Sequence, residues 1–286
     1  MFKKDGVHIK IKDCYDKLFV IELARKIKAV KTDFDVNEFT DEVNKTLEDL
    51  EFSKRMQVIS NNLHKQFINY EEALTIFTKI LTPNVSSFAT MYEEGKDMAP
   101  LSKYVEIFGI QNELHFEQTI EFIKKLTLAY TGEYALRAMF IVMPSKVIEI
   151  VKEWIKDKNP FIRRAAIESI RISLPWAKKT YNIMNYFQDY QYILDVLSTD
   201  ENEYVRRSVA NNINDLYKYD SKKADAIINK WKKENFKNPS KEMTKLINHA
   251  TRYYRNVMQK NSINISVKSG YVKILVKQPI ITFSNL

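Results

Sequence analysis

A chain of 286 residues with 45% apolar content is long enough for a sizeable buried core, while only 5 Gly and 7 Pro leave too few turn residues for an all-β or doubly wound fold. Cys14 is the single cysteine, which excludes an intrachain disulfide and Cys-rich zinc modules and fits a reducing compartment. The 45 Lys+Arg against 36 Asp+Glu give a formal net charge of +9, which favours a polyanionic partner without establishing one.

The N-terminus, Met1 to Gly6, carries positive charge with no apolar stretch behind it, and no segment approaches the ~18 uninterrupted apolar residues of a membrane span. A soluble, cytosolic protein is expected. From Tyr15 to about Leu81 the pattern is helical, with Leu18, Ile21, Leu23 and Ile27 followed by Phe39, Val43, Leu47 and Leu50. Asp33-Phe34-Asp35 and Thr82-Pro83-Asn84 read as breaks, and Thr82 to Leu101, with Gly95 and Pro100, as a long connection. Helical periodicity resumes at Val105, and Asn112 to Tyr130 predicts one long helix with Asn112 as N-cap. Thr131-Gly132-Glu133 starts the next pair, which turns at Met143-Pro144-Ser145 and runs to Asp157. Two similar units follow, at 159–200 and 202–235, and a last pair begins near Asn238-Pro239-Ser240 and includes His249 to Arg252. Beyond Gln259, Ile263, Ile265 and Val267, then Val272, Ile274 and Val276, alternate with polar residues around a turn at Lys268 to Gly270, which predicts a short hairpin or an unstructured tail.

The two units share a block forty-three residues apart: Asn159-Pro160-Phe161-Ile162-Arg163-Arg164 and Asn202-Glu203-Tyr204-Val205-Arg206-Arg207. That period, with no strand signal inside it, predicts an all-α fold, a right-handed solenoid of HEAT-like helix pairs spanning 1–258 with a tail at 259–286. Arg163, Arg206 and Arg207 recur at one place in successive repeats, so they are expected to line one edge and track a phosphate backbone, with Lys178 and Lys179 extending it; a solvated ridge is the plainer alternative.

Arg164, Glu168 and Arg171 fall on one helical face in the first copy, and Leu174-Pro175-Trp176 closes that helix. An ordinary surface ion pair would explain the spacing, but the second copy keeps Arg207 and has Asn211 in place of Glu168, so the repeat itself does not require the acid. Glu133 and Arg137 form another carboxylate–guanidinium pair one unit earlier. Asp215 lies on the helix after Arg207, where pairing with Arg207 or Lys218 is the plainer reading; Trp176 is either a groove-facing indole or a core filler. His8, His64, His115 and His249 have no metal-ligand spacing, and neither a Gly-rich phosphate loop nor a nucleophile elbow occurs. Hydrolysis by carboxylate, without metal or cofactor, is the chemistry that remains.

Glu133 with Tyr134-Ala135-Leu136-Arg137, the run from Ile162 through Ser169 to Leu174-Pro175-Trp176-Ala177, and Tyr204 to Asp215 resemble the bacterial alkylation-repair DNA glycosylases of the AlkC type over about residues 15–255. The resemblance implies a monomeric helical solenoid, free of metal and cofactor and associated with the nucleoid, that holds duplex DNA and excises cationic N-alkylated bases such as 3-methyladenine. It carries catalytic roles onto Glu133, Glu168 and Asp215 and lesion contact onto Trp176 and Arg164; beside it, the reading of the basic residues gives Arg163, Arg171, Lys178, Lys179, Arg206 and Arg207 as the expected DNA contacts. The sequence departs from the family's usual run at Ser169, Ile172, Ser173 and Lys245, where glycine, proline, arginine and tryptophan are expected, and an immunoglobulin-like extension is not expected in the tail. A non-catalytic DNA-binding repeat protein and a protein–protein adaptor are the competing readings.

Overall fold

A computed structural model describes residues 2–4, 7–82, 84–262, 265–268 and 271–274; Gly6, Pro83, Ile263, Gly270 and Val276 of the readings above lie outside them. Fifteen α-helices carry the described fold, which is all-α apart from two short hairpins. No described helix is long and apolar enough to cross a membrane.

The first compact unit ends at Ile193. It opens on β1 (Phe2–Lys4) and β2 (Val7–Ile9), an antiparallel hairpin that the sequence reading did not anticipate. Then follow α1 (Lys17–Lys28), α2 (Val36–Asn44), α3 (Phe52–Lys65), α4 (Tyr70–Ile80), α5 (Met91–Glu94), α6 (Ala99–Phe108), α7 (Phe116–Ala129), α8 (Glu133–Val142), α9 (Pro144–Trp154), α10 (Pro160–Ser169) and α11 (Phe187–Ser198), whose last turn enters the second unit. Side-chain oxygens of Asp16, Asp35, Asn69 and Asn159 each cap the helix that follows by accepting a first-turn amide. The rows α3–α6–α8–α10 and α4–α7 pack successively, with α9 against α8 and α10. Their apolar stripes close on Leu63, Leu101, Leu136, Phe140, Val151 and Ile167, all fully buried.

Two expectations are corrected in this unit. The stretch read as a connection from Thr82 to Leu101 contains α5, a 3-10 turn at Lys96–Met98 and the start of α6. Pro100 initiates α6, because proline in the first helical turn forfeits no intrahelical hydrogen bond. Gly95 is required there, since a Cβ would lie 2.3 Å from the Ala129 carbonyl oxygen. Likewise Asn112 caps a 3-10 turn, Glu113–His115, that runs into α7 rather than one continuous α-helix.

The second unit, from Leu194, contains α12 (Glu203–Tyr219), α13 (Ser221–Lys237), α14 (Lys241–Ala250) and α15 (Arg252–Ser262). Here α12 packs on α13, α14 and α15. The expected C-terminal hairpin is present as β3 (Ile265–Lys268) and β4 (Tyr271–Ile274), pairing Ile265 with Ile274 and Val267 with Val272.

The duplicated block now has a physical meaning. Asn159 and Asn202 both accept a first-turn amide at 2.9 Å, and their own amides donate to Asp157 and Asp200 at 2.8 Å. Arg163 Nη1 donates to the Asp157 and Lys158 carbonyls at 2.9 and 3.0 Å, and Arg206 Nη1 makes the same two bonds to Asp200 and Glu201. The first arginine of each pair therefore closes its own turn through Nη1, a structural task that the sequence reading did not anticipate for Arg163 and Arg206. Arg163 is buried and Arg206 half-buried; only Arg207, bonded to Glu203 at 3.2 Å, is exposed.

Arg163→Met strands two carbonyls and is expected to lower the unfolding free energy by about 2 kcal/mol, read from urea midpoints; an unchanged midpoint would remove the turn-closing role. Asp157 supplies a second test. Burial opposes its charge, but Lys124 Nζ at 2.8 Å and the Asn159 amide outweigh it and hold the carboxyl below its ordinary 3.8. A carboxyl depressed in the folded chain stabilises above its unfolded value and loses that contribution as pH falls through the lower folded one. Asp157→Asn is expected to flatten the fall in stability between about pH 5 and pH 2.

Candidate active site

Glu133 is the first residue of α8 and is only 1% exposed. A helix start favours a negative charge, because its unpaired amides carry partial positive charge. Gly132 before it tolerates no side chain: a Cβ would meet Thr127 Oγ1 at 2.2 Å. Glu133 Oε1 accepts from Arg164 Nη1 at 3.3 Å and from the Tyr92 hydroxyl at 3.4 Å, whereas Oε2 is buried without a hydrogen-bond partner among the described residues. Burial works against the Arg164 charge, but Glu133, Tyr92 and Glu168 raise its pKa above the ordinary value. Its guanidinium also lies over the Phe88 ring at 6.0 Å, and Phe88 stacks on Phe161 at 4.0 Å.

Glu168, in the last turn of α10, is 3% exposed and accepts from Arg171 Nη1 at 3.2 Å. The expected Arg164–Glu168 pair is thus exchanged for Arg164–Glu133 and Arg171–Glu168. α10 stops at Ser169, so Arg171 is not at i+7 on its face but follows the helix, bonded through its amide to the Glu168 carbonyl, and is nearly buried. Leu174-Pro175-Trp176 lies in the loop beyond and does not end the helix.

What ends α10 is a side chain from α8. Arg137 makes five bonds to four carbonyls of the loop: Ser169, Arg171, Ile172 and, through both Nε and Nη2, Lys178. The sequence suggested Glu133 as its partner. Its guanidinium is instead committed to orphan carbonyls, which removes the need for continued helix. Tyr134, about one helical turn before Arg137 on α8, donates from its hydroxyl to the Pro175 carbonyl at 3.3 Å, and the Thr180 amide reaches the Ile172 carbonyl at 3.1 Å.

This anchored loop presents Trp176 with its indole 87% exposed and its backbone at φ 60°, the one non-glycine residue with positive φ among those described. Such a conformation costs on the order of 1–3 kcal/mol, and exposure forfeits the burial of a large aromatic. Neither core packing nor backbone preference accounts for the arrangement, so the core-filler reading fails. Lys178 and Lys179 stand exposed on the same loop.

In the second unit, Asp215 is 3% exposed and accepts from Lys218 Nζ at 3.1 Å. Asn211, the counterpart of Glu168, accepts from Arg252 Nη2 at 3.2 Å and contacts His249 Nε2 at 3.0 Å. Reasoning from sequence missed Tyr92, since it lies in a stretch without readable periodicity, and also the role of Arg137, whose partners are carbonyls more than thirty residues away.

Arg137→Met leaves the carbonyls of Ser169, Arg171 and Lys178 without its donors and is expected to lower stability by at least about 3 kcal/mol. Below its melting range, trypsin should cut after Lys178 or Lys179 at least about tenfold faster than in the parent chain; equal cutting rates would show that the loop is held by something else.

Residues 113–253 match the DNA alkylation repair enzyme family. An uncharacterized protein of Bacillus subtilis (strain 168), YhaZ, is 29% identical over 225 residues, covering 77% of this chain and 59% of the relative. The alkylpurine DNA glycosylase AlkC of Pseudomonas fluorescens, solved bound to DNA containing an abasic site analog, superposes with a TM-score of 0.73 at 25% identity, covering 86% of this chain and 65% of that one. The chain therefore spans less than two thirds of the length of either relative. In the matched segment and in the helical fold, the chain is similar to the AlkC-type alkylation repair proteins.

Proposed function

We propose that the protein is a monofunctional DNA glycosylase that hydrolyses the N-glycosidic bond of cationic alkylated bases such as 3-methyladenine in duplex DNA, acting as a monomer in the cytoplasm. The observation that carries this reading is the pair of buried carboxylates, Glu133 and Glu168, each held by its own guanidinium on packed helices α8 and α10, beside a strained and exposed indole.

A base alkylated at a ring nitrogen is already positively charged and leaves without a strong general acid. The remaining barrier is the sugar, which becomes oxocarbenium-like, and the water that must attack it. Fixed negative charge in a dry setting stabilises the first, and a carboxylate oxygen accepts the proton of the second. Glu133 Oε2, buried and without a hydrogen-bond partner, suits proton acceptance; Glu168 supplies negative charge, and Asp215 is a further candidate carboxylate. Arg164 and Arg171 fix the orientation of the two glutamates. The Trp176 face attracts a cationic base by cation–π interaction, worth about 2 kcal/mol when desolvated. Lys178, Lys179 and Arg207 are the exposed cations available to phosphates, while Arg163, Arg171 and Arg206 also hold bonds within the fold through Nη1.

Glu168→Gln and Glu133→Gln are each expected to lower release of 3-methyladenine from methylated duplex by about 10² to 10⁴-fold while leaving duplex affinity within a factor of about three. Wild-type rates in folded variants would return the two glutamates to structural ion pairs, and no release by the parent chain would favour a non-catalytic DNA-binding protein. Trp176→Phe is expected to slow excision of cationic lesions with no change in melting temperature, since the indole contributes little packing. The double change Lys178→Ala and Lys179→Ala should weaken binding to all duplexes alike and reduce the salt slope by up to about 0.9 per lost phosphate contact; binding insensitive to salt would point to a protein-binding surface instead.

A further inference from the structure

In the first unit, a cavity of about 420 Å³ opens between α3, α5, α6 and α8, within the range of small-molecule sites. Its walls carry the aromatic rings of Phe52, Tyr92, Tyr130, Tyr134 and Trp176, with Glu93, Lys103 and Glu106 as the charged groups of the lining. These residues come from separate elements that a stable fold would ordinarily close on one another. Two of them also belong to the carboxylate site, because Tyr92 donates to Glu133 and Trp176 tops the loop held by Arg137. Burial first, and nearby negative charge with it, pushes the Tyr92, Tyr130 and Tyr134 phenols upward, so all three present neutral hydroxyls.

We propose that this cavity is a binding site for the free heteroaromatic base after it has left the sugar, an inference that rests on the glycosylase reading. The chemistry of departure selects the occupant. When the C1′–N bond breaks, its electron pair returns to the ring nitrogen and cancels the positive charge of the alkylated base. The sugar keeps the charge until water bonds to C1′ and passes its proton to a carboxylate. The leaving base is then neutral, planar and rich in hydrogen-bonding groups. Aromatic faces stack on that planar ring, and the polar groups of the lining meet its hydrogen-bonding edges. Site and cavity lie side by side, so the base that leaves the sugar is next to a surface that can hold it.

The test is equilibrium dialysis of free 3-methyladenine against the full-length chain, alone and with saturating duplex containing an abasic site. Uptake of one equivalent in both conditions is expected. Ser53 and Ala89 line the cavity and are exposed, so Ser53→Phe and Ala89→Phe narrow it without disturbing the core. Each should weaken uptake about tenfold with unchanged melting, the effect of losing roughly one stacking contact. No saturable uptake, uptake equal in both variants, or displacement of the base by the duplex would overturn the proposal, the last by showing that DNA itself fills the space. Base release from methylated duplex is measured on the same preparations. Release without uptake of the free base sinks the cavity proposal alone. Uptake without release sinks the glycosylase reading and leaves a heteroaromatic-binding cavity.

Discussion

A single buried guanidinium sets the form of the candidate site. Arg137 is 2% exposed and directs its donors at four carbonyls in the segment after α10, doing there what further helix or a sheet would otherwise do. A charged group taken from water is tolerated only when its hydrogen bonds are met, and a planar fork of five N–H groups meeting converging carbonyls satisfies that condition. The consequence is mechanical. The last turn of α10 is cut at Ser169, Arg171 is placed to bond Glu168, and the loop that follows is fixed tightly enough to hold Trp176 in a left-handed backbone conformation. Arg55 uses the same device elsewhere in the unit, donating to carbonyls of Lys12, Tyr15, Glu48 and Leu50. Buried arginine thus serves this fold as a clamp on irregular chain.

Against that frame the carboxylates acquire their character. Two acids in a low-dielectric setting repel and are costly to desolvate, so each requires a positive neighbour. The fold provides one apiece, and it does so by crossing between elements, Arg164 reaching from α10 to Glu133 on α8. Carboxylates held this way need no reorganisation when a cationic sugar develops, and this preorganisation is the main electrostatic resource of the proposed reaction.

The excess of basic residues divides into two populations with different work. Arg137, Arg163, Arg171 and Arg206 close turns or pair with buried acid, and their guanidiniums are engaged inside the protein. Lys178, Lys179 and Arg207 remain exposed and available to a polyanion. Counting charge along the chain cannot separate the two groups, since each contributes the same formal charge. Their difference is the set of carbonyls that the backbone happens to bring within reach.

The helical repeat was legible because it is local: caps such as Asn159 and Asn202, proline at helix starts, and apolar spacing are all fixed by residues within a few positions of one another. The same held for the C-terminal hairpin, whose alternation was readable, whereas the N-terminal pair Phe2–Lys4 and Val7–Ile9 was too short to register. Glu133, Glu168 and Trp176 stood out through their place in the repeat and through resemblance. Their pairings did not, because i+4 spacing on one helix proved weaker than contacts between helices: Arg164 chose Glu133, Arg137 chose carbonyls, and Tyr92 arrived from a segment that read as a connection. The sequence by itself determined most of the helices, whose caps and apolar spacing are local, and which residues carry charge. Only the tertiary structure decided which charges meet, because burial and hydrogen bonding across elements set those partnerships and neither is encoded in spacing along one helix.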